Sequence, residues 1–184
     1  KGERRSQIIV EGKPFRDCSV SSYYRTFVEE EGRDIVKRNI DFLRSRYDYI
    51  VMEGAGSPAE INIYDRDIAN MSAAEMADAT CILVVNMEWG GSFAYALGTI
   101  ELIPEKDRKR IKGIILNNHK GNVKALDGAK KRLEELTGIP VLGVIPHLNV
   151  DLPKEDSEYF RNTKEAGNGK YIISVIKLPH ISNF

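Results

Sequence analysis

Four short polar segments carry most of the chemistry available to this chain: Glu53-Gly-Ala-Gly-Ser57, Asn86-Met-Glu-Trp-Gly-Gly-Ser92, Asn117-Asn-His-Lys120 and Pro146-His-Leu-Asn149. Each follows an apolar run. In the first, Gly54 and Gly56 let backbone N–H groups approach a ligand without Cβ interference, which suits a phosphate. A carboxylate beside such amides repels the phosphate unless a cation sits between them, so Glu53 is the candidate magnesium ligand. The alternative is an acid that only fixes the turn. Gly90-Gly91-Ser92 runs straight into a helical pattern, whose first N–H groups form an anion site; a plain helix cap is the competing reading. Asn117 offers an amide with a donor and an acceptor face, suited to a nucleotide base, or else an ordinary strand-end turn. His119, His147 and His180 read as loop histidines rather than catalysts. No Gly-x4-Gly-Lys-[Ser/Thr] phosphate loop and no Gly-x-Ser-x-Gly elbow occurs.

Positioning these segments requires strands that all end at one edge. A short β-like piece, SQIIV, precedes a GKP turn, and apolar spacing predicts a helix from about Ser22 to Tyr47. Strand Tyr49–Met52 delivers Glu53. Ser72-Ala-Ala-Glu75 has the capping-box form and starts a short helix. Strand Cys81–Val85 follows, then a helix capped by Ser92 and closed by Pro104, strand Ile111–Leu116, helix Lys124–Leu136 ended by Gly138, and strand Pro140–Ile145. Alternating strands and helices, with short continuous apolar strands, predict an α/β fold: a mostly parallel sheet with helices on both faces. Ligands of such sheets bind beyond the carboxyl ends of the strands, where the polar segments emerge.

Composition narrows the partner. The 184 residues suffice for one domain or slightly more, and 42% are hydrophobic. Lys+Arg and Asp+Glu are both 27, for a net charge of +0, so there is no basic footprint for nucleic acid and a small-molecule partner is expected. The two cysteines, Cys18 and Cys81, form neither a disulfide framework nor a metal spacing, which fits a cytoplasmic protein. No apolar run approaches the roughly 20 residues of a membrane helix. KGERRSQIIVEG at the start and GKYIISVIKLPHISNF at the end both read as interior sequence, so the chain is expected to be a fragment.

EGAGSPAEINIYDRDIANMSAAEMAD (53–78) closely resembles the signature of the cobyric acid synthase family, the glutamine-dependent amidases of cobalamin biosynthesis. The likeness continues through residues 82–122 and 135–157 and into IKLPHISNF. The resemblance implies a P-loop-NTPase-like synthetase domain similar to dethiobiotin synthetase, which uses ATP and magnesium to activate peripheral carboxylates of a corrinoid. Ammonia from a glutaminase domain then converts them to amides. It places the phosphate loop before Lys1 and the glutaminase nucleophile beyond Phe184. Residues 1–153 become a partial synthetase domain lacking the phosphate-loop strand, 154–170 a linker and 171–184 the first strand of the glutaminase-like domain. The fragment alone is expected to be inactive, and homodimerisation stays open.

By this resemblance Glu53 is the catalytic, magnesium-holding acid. Gly54, Gly56, Asn117, Pro146 and His147 face the nucleotide. Ser57, Glu60, Asn62, Asp65, Asp67, Asn70, Gly90 and Gly91 line the substrate side. Four positions depart from the family: Asn86 and Trp89 stand where it carries an aspartate and an arginine, and Asn118 and His119 where it carries Lys-Phe. These departures keep two alternatives open: a non-catalytic corrinoid- or nucleotide-binding relative, and a synthetase for another tetrapyrrole or a small amine.

Overall fold

Within residues 5–148, which the computed structural model describes, the chain opens with an antiparallel hairpin of β1 (Arg5–Val10) and β2 (Lys13–Ser19). Its two-residue turn, Glu11-Gly12, has φ of 50° and 77°, the sign that matches the twist of paired strands. The sequence reading marked β1 and the turn but not β2, whose Pro14 and alternating charges argue against a central strand. A two-stranded ribbon is all edge, and there Pro14 is tolerated.

A helical arm follows: α1 (Val20–Ser22), a π-helical segment (Tyr23–Gly32) and α2 (Arg33–Arg44). It occupies most of the expected helix, and the Ser19 hydroxyl caps its start by accepting from the Ser22 amide at 3.1 Å. Phe27 and Val28 are buried against Ile68, with Ile8, Tyr23, Tyr24, Ile35 and Val36 around them, so the arm and hairpin share a small core of their own.

The expected strand Tyr49–Met52 is not formed. Residues 47–63 carry no strand, and Tyr49 and Val51 are 92% and 97% exposed. An apolar run becomes a strand only when its N–H and C=O groups find a neighbouring ladder, and none engages this one. The chain next enters α3 (Met71–Ala77), with Asn70 at its N-cap position. The capping box is not made either: Ser72 lies inside the helix, and its hydroxyl accepts from Arg33 Nη1 at 3.0 Å. That bond ties α3 to the arm, a tertiary contact overriding a local one.

Beyond α3 the α/β alternation appears as expected. Parallel strands β3 (Cys81–Asn86), β4 (Ile111–His119) and β5 (Val141–Pro146) lie in the order β3-β4-β5. Val85 pairs with Leu116 and Leu116 with Val144. Parallel neighbours need long crossovers, supplied by α4 (Ser92–Leu102), the short α5 (Glu105–Arg108) and α6 (Asp127–Thr137). Gly138, at φ 67°, ends α6 as anticipated.

Val85, Ile114 and Leu116 point to the face covered by Ala96 and Ile100 of α4 and Leu133 of α6. Ile100, Ile103, Ile114 and Leu116 are almost fully buried, each contributing about 1.5–3 kcal/mol of apolar transfer free energy. On the opposite face Ile82, Val84, Leu142 and Ile145 are 38–57% exposed. Cys18 is buried and Cys81 half-buried, the reverse of what their sequence surroundings suggest. Among the described residues no helix is long and apolar enough to cross a membrane. The expected linker and glutaminase strand, residues 154–170 and 171–184, lie outside the described residues.

Candidate functional site at the carboxyl edge of the parallel sheet

The three parallel strands end at Asn86, His119 and Pro146 on one edge. There Val84, Asn86, Asn117, Asn118, Pro146 and Leu148 line a cavity of about 290 Å³, near the lower end of the range for small-molecule sites. Val84, Pro146 and Leu148 give it apolar walls, and three asparagines give it amides. A flat heterocycle with polar edges matches that combination.

The register of the sheet places these side chains. Asn86 is opposite Asn117, and His119 opposite Pro146. The backbone then continues the ladder past the strands, with the Met87 amide donating to Asn117 O at 2.8 Å and the His147 amide to His119 O at 2.9 Å. Asn86 Oδ1 accepts from the Glu88 amide at 3.0 Å, which turns the chain out of β3.

Glu88 sits at the centre of a charged cluster. The Lys120 ammonium donates to its Oε1, and Asn118 Nδ2 donates to its Oε2 at 3.0 Å. These contacts, the Lys120 hydrogen bond foremost, hold the Glu88 carboxyl below the usual carboxylate range. On the far side Asn118 Oδ1 lies 2.6 Å from His147 Nδ1. His119 has a buried Nε2 with no hydrogen-bond partner among the described residues, packed where a Cβ on Gly121 would approach it to 3.2 Å.

The turn into α4 is built around Ser92, which is 4% exposed. The expected Ser92 cap is not made; Gly91 holds the N-cap position at φ 86°, a conformation costly for any residue with a Cβ. The Ser92 hydroxyl instead reaches back to the carbonyls of Asn86 and Trp89, at 3.0 and 2.7 Å. That leaves Trp89 68% exposed and Gly90-Gly91 at the open mouth of the helix.

The other expected site residues lie on the loop between α2 and α3. Glu53 is exposed and has no hydrogen bond or ion pair among the described residues. Gly54 packs against Asn70: a Cβ there would come within 2.2 Å of Asn70 Oδ1. Asn70 Nδ2 donates to Ala55 O at 2.8 Å and to Asp67 Oδ2 at 2.7 Å, and Asp67 Oδ1 accepts from the Ala69 amide at 2.8 Å. Asn70 and Asp67 therefore shape the loop. The Ser57 hydroxyl accepts from the Ala59 amide at 3.2 Å, and Asp65 O accepts from Arg33 Nη2. Gly56, Glu60 and Asn62 are exposed. Tyr64 anchors the loop, its hydroxyl donating to the buried Asp107 Oδ2 at 2.8 Å; burial foremost, and then this bond, pushes the phenol pKa up.

The structure thus brings Asn117, Pro146 and His147 together and adds Asn86, Glu88, Asn118 and Lys120, which the sequence reading had not assigned to the site. Their signal was present: all of them lie in the polar segments that follow the apolar runs, and two stand at the departures from the family pattern. It keeps Glu53 and its loop in a separate hydrogen-bonded unit.

With that geometry in view, the family model described as an AAA domain matches residues 20–152. The chain belongs to the AAA domain family. The matched span takes in the helical arm, the Glu53 loop and the parallel strands whose ends form the cavity. Similarity to curated proteins extends over the whole chain. A probable cobyric acid synthase of Methanothermobacter thermautotrophicus is 44% identical over 185 residues, covering 100% of this chain and 36% of the relative. One of Methanococcoides burtonii is 47% identical over 187 residues, covering 100% and 37%. The cobyric acid synthase of Clostridium acetobutylicum is 43% identical over 182 residues, covering 99% and 36%. The resemblance read from the EGAGSPAEIN block is therefore shared along the full chain, which spans about a third of the length of these relatives. No solved structure matches the chain.

Proposed function

We propose that this chain is the nucleotide- and corrinoid-handling part of a cobyric acid synthase. In this reading the cavity between Asn86, Asn117 and Pro146 takes the base of ATP, with His147 at its margin. Gly54 and Gly56 present loop amides to the phosphates. Magnesium needs only one or two carboxylates besides phosphate oxygens, and an exposed, unpaired Glu53 has the right chemistry to be one of them. The substrate carboxylate takes the terminal phosphoryl group of ATP, because a free carboxylate resists nucleophiles. Ammonia released from glutamine elsewhere in the protein then attacks the acyl carbon, phosphate leaves, and a proton is lost to give the amide. Ser57, Glu60, Asn62, Asp65, Asp67, Asn70, Gly90 and Gly91 form the substrate side, with Asp67 and Asn70 acting through the loop they hold. A cytoplasmic location accompanies this chemistry.

The observation that carries the reading is the cavity with three amides at the carboxyl edge of a parallel sheet, in a chain that resembles cobyric acid synthases from end to end. The test uses the full-length parent protein with ATP, magnesium, glutamine and an adenosylated cobyrinic acid diamide, followed by mass spectrometry. ATP-dependent amide formation is expected. Tight binding of ATP and corrinoid without any amide would establish the non-catalytic relative, favoured by Asn86 and Trp89. Turnover of a different carboxylate alone would replace the substrate.

A further inference from the structure

Among the described residues, Asn118 is the one whose side chain bonds to the ends of both neighbouring strands. It belongs to β4, bonds Asn86 at the end of β3 and Glu88 just beyond it, and bonds His147 after β5. Its backbone lies at φ 62°, in the left-handed region that non-glycine residues seldom enter and that asparagine tolerates better than most. Strain of this kind persists where surrounding contacts over-determine it, and it concentrates at functional sites.

The hydrogen-bond directions follow from charge. Glu88, paired with Lys120, is a carboxylate and only accepts, so the Asn118 group facing it at 3.0 Å is the NH2. Turned the other way, the carbonyl oxygen would face the carboxylate oxygen. Asn118 Oδ1 is then an acceptor, and His147 must donate to it from Nδ1 at 2.6 Å. A neutral His147 is thereby held as the Nδ1–H tautomer, with Nε2 left as the acceptor. The same amide reaches Asn86 Oδ1 at 3.4 Å, where the Glu88 amide also donates at 3.0 Å. With its carbonyl so engaged, Asn86 is left with Nδ2, a donor, for the cavity it lines.

We propose that Asn118 is the positioning residue of this site: through one left-handed amide it fixes the tautomer of His147 and the orientation of Asn86, so that the cavity meets its ligand with a donor at Asn86 and the imidazole with an acceptor at Nε2. The identity of the ligand as ATP rests on the function proposed above; the positioning itself does not.

The experiment compares two variants in the full-length protein. Asn118→Gly keeps the left-handed backbone and removes the amide. Asn118→Asp restores an acceptor for His147 but repels Glu88 and cannot donate to Asn86. The tautomer of His147 is read from its ring 15N resonances, and ATP affinity by calorimetry. Wild type should show His147 protonated at Nδ1. Asn118→Gly should lose that preference and weaken ATP about tenfold, the effect of one to two lost hydrogen bonds. Asn118→Asp should keep the Nδ1 proton yet still bind ATP more weakly. An Nε2–H tautomer in the wild type, or an unchanged tautomer in Asn118→Gly, would overturn the proposal. If the wild type showed the Nδ1–H tautomer and no ATP binding, the positioning would stand and the nucleotide reading would fall.

Discussion

The loop that carries Glu53 and the edge that carries Asn86, Asn117 and His147 are both rich in polar side chains, yet they are organised differently. At the edge, the register of three paired strands fixes the backbone, and side-chain bonds then join one strand end to the next. In the loop, Asn70 bonds Ala55, Asp67 bonds Ala69 and Ser57 bonds Ala59, while Asp65 and Tyr64 reach out to Arg33 and Asp107. They give the loop a shape, but none joins Glu53 to the edge. Preorganisation at the edge comes from the sheet. In the loop it comes from Asn70 and Asp67, with Arg33 and Asp107 holding it to its neighbours.

Three substitutions break or sharpen this contrast. Leu116 is fully buried beneath the edge. Leu116→Ala is expected to cost about 3–5 kcal/mol of stability, the range for cavity-forming core truncations. Denaturant unfolding checks this, and the His147 and Asn118 resonances should shift before those of the loop. Glu53→Gln is the converse: an exposed acid without partners among the described residues should leave stability within about 0.5 kcal/mol of wild type. In the full-length enzyme the same change should lower ATP-dependent amidation about 10²–10³-fold, as loss of one electrostatic contact to the transferring group does. A normal rate with normal magnesium dependence would make Glu53 a turn residue only. Asn70→Ala removes two local bonds and should cost about 1–2 kcal/mol, with faster proteolysis between residues 53 and 67 and little change at His147. If His147 moved as much as the loop, the two regions would be one coupled unit.

How much of this was legible beforehand follows the same division. The runs CILVV, IKGIIL and PVLGVI are apolar without alternation, the pattern of strands in a parallel sheet, so the parallel core was visible. YDYIVM reads the same, yet Tyr49 and Val51 are exposed: sequence reports that a segment is able to form a strand, whereas pairing depends on an available edge. Ser72 and Ser92 both carried capping signatures, and both hydroxyls were taken by other partners, Arg33 in one case and the carbonyls of Asn86 and Trp89 in the other. Strand-end positions announced a site at Asn117 and Pro146. The bonds among Asn86, Glu88, Asn118 and His147 were not legible, because residues 29 to 32 positions apart meet only once the register is set.

The open side of the parallel sheet has a practical consequence. The outer edge of β3 has no partner strand among the described residues, and Ile82 and Val84 present an apolar surface beside it. Such an edge is a template for any extended apolar segment, including Tyr49–Met52 of a second molecule. Expressed by itself, this polypeptide is expected to self-associate through strand addition as concentration rises, which sedimentation will check. Ile82→Lys, on the exposed apolar face of that strand and outside the cavity lining, is the natural first choice for suppressing that association.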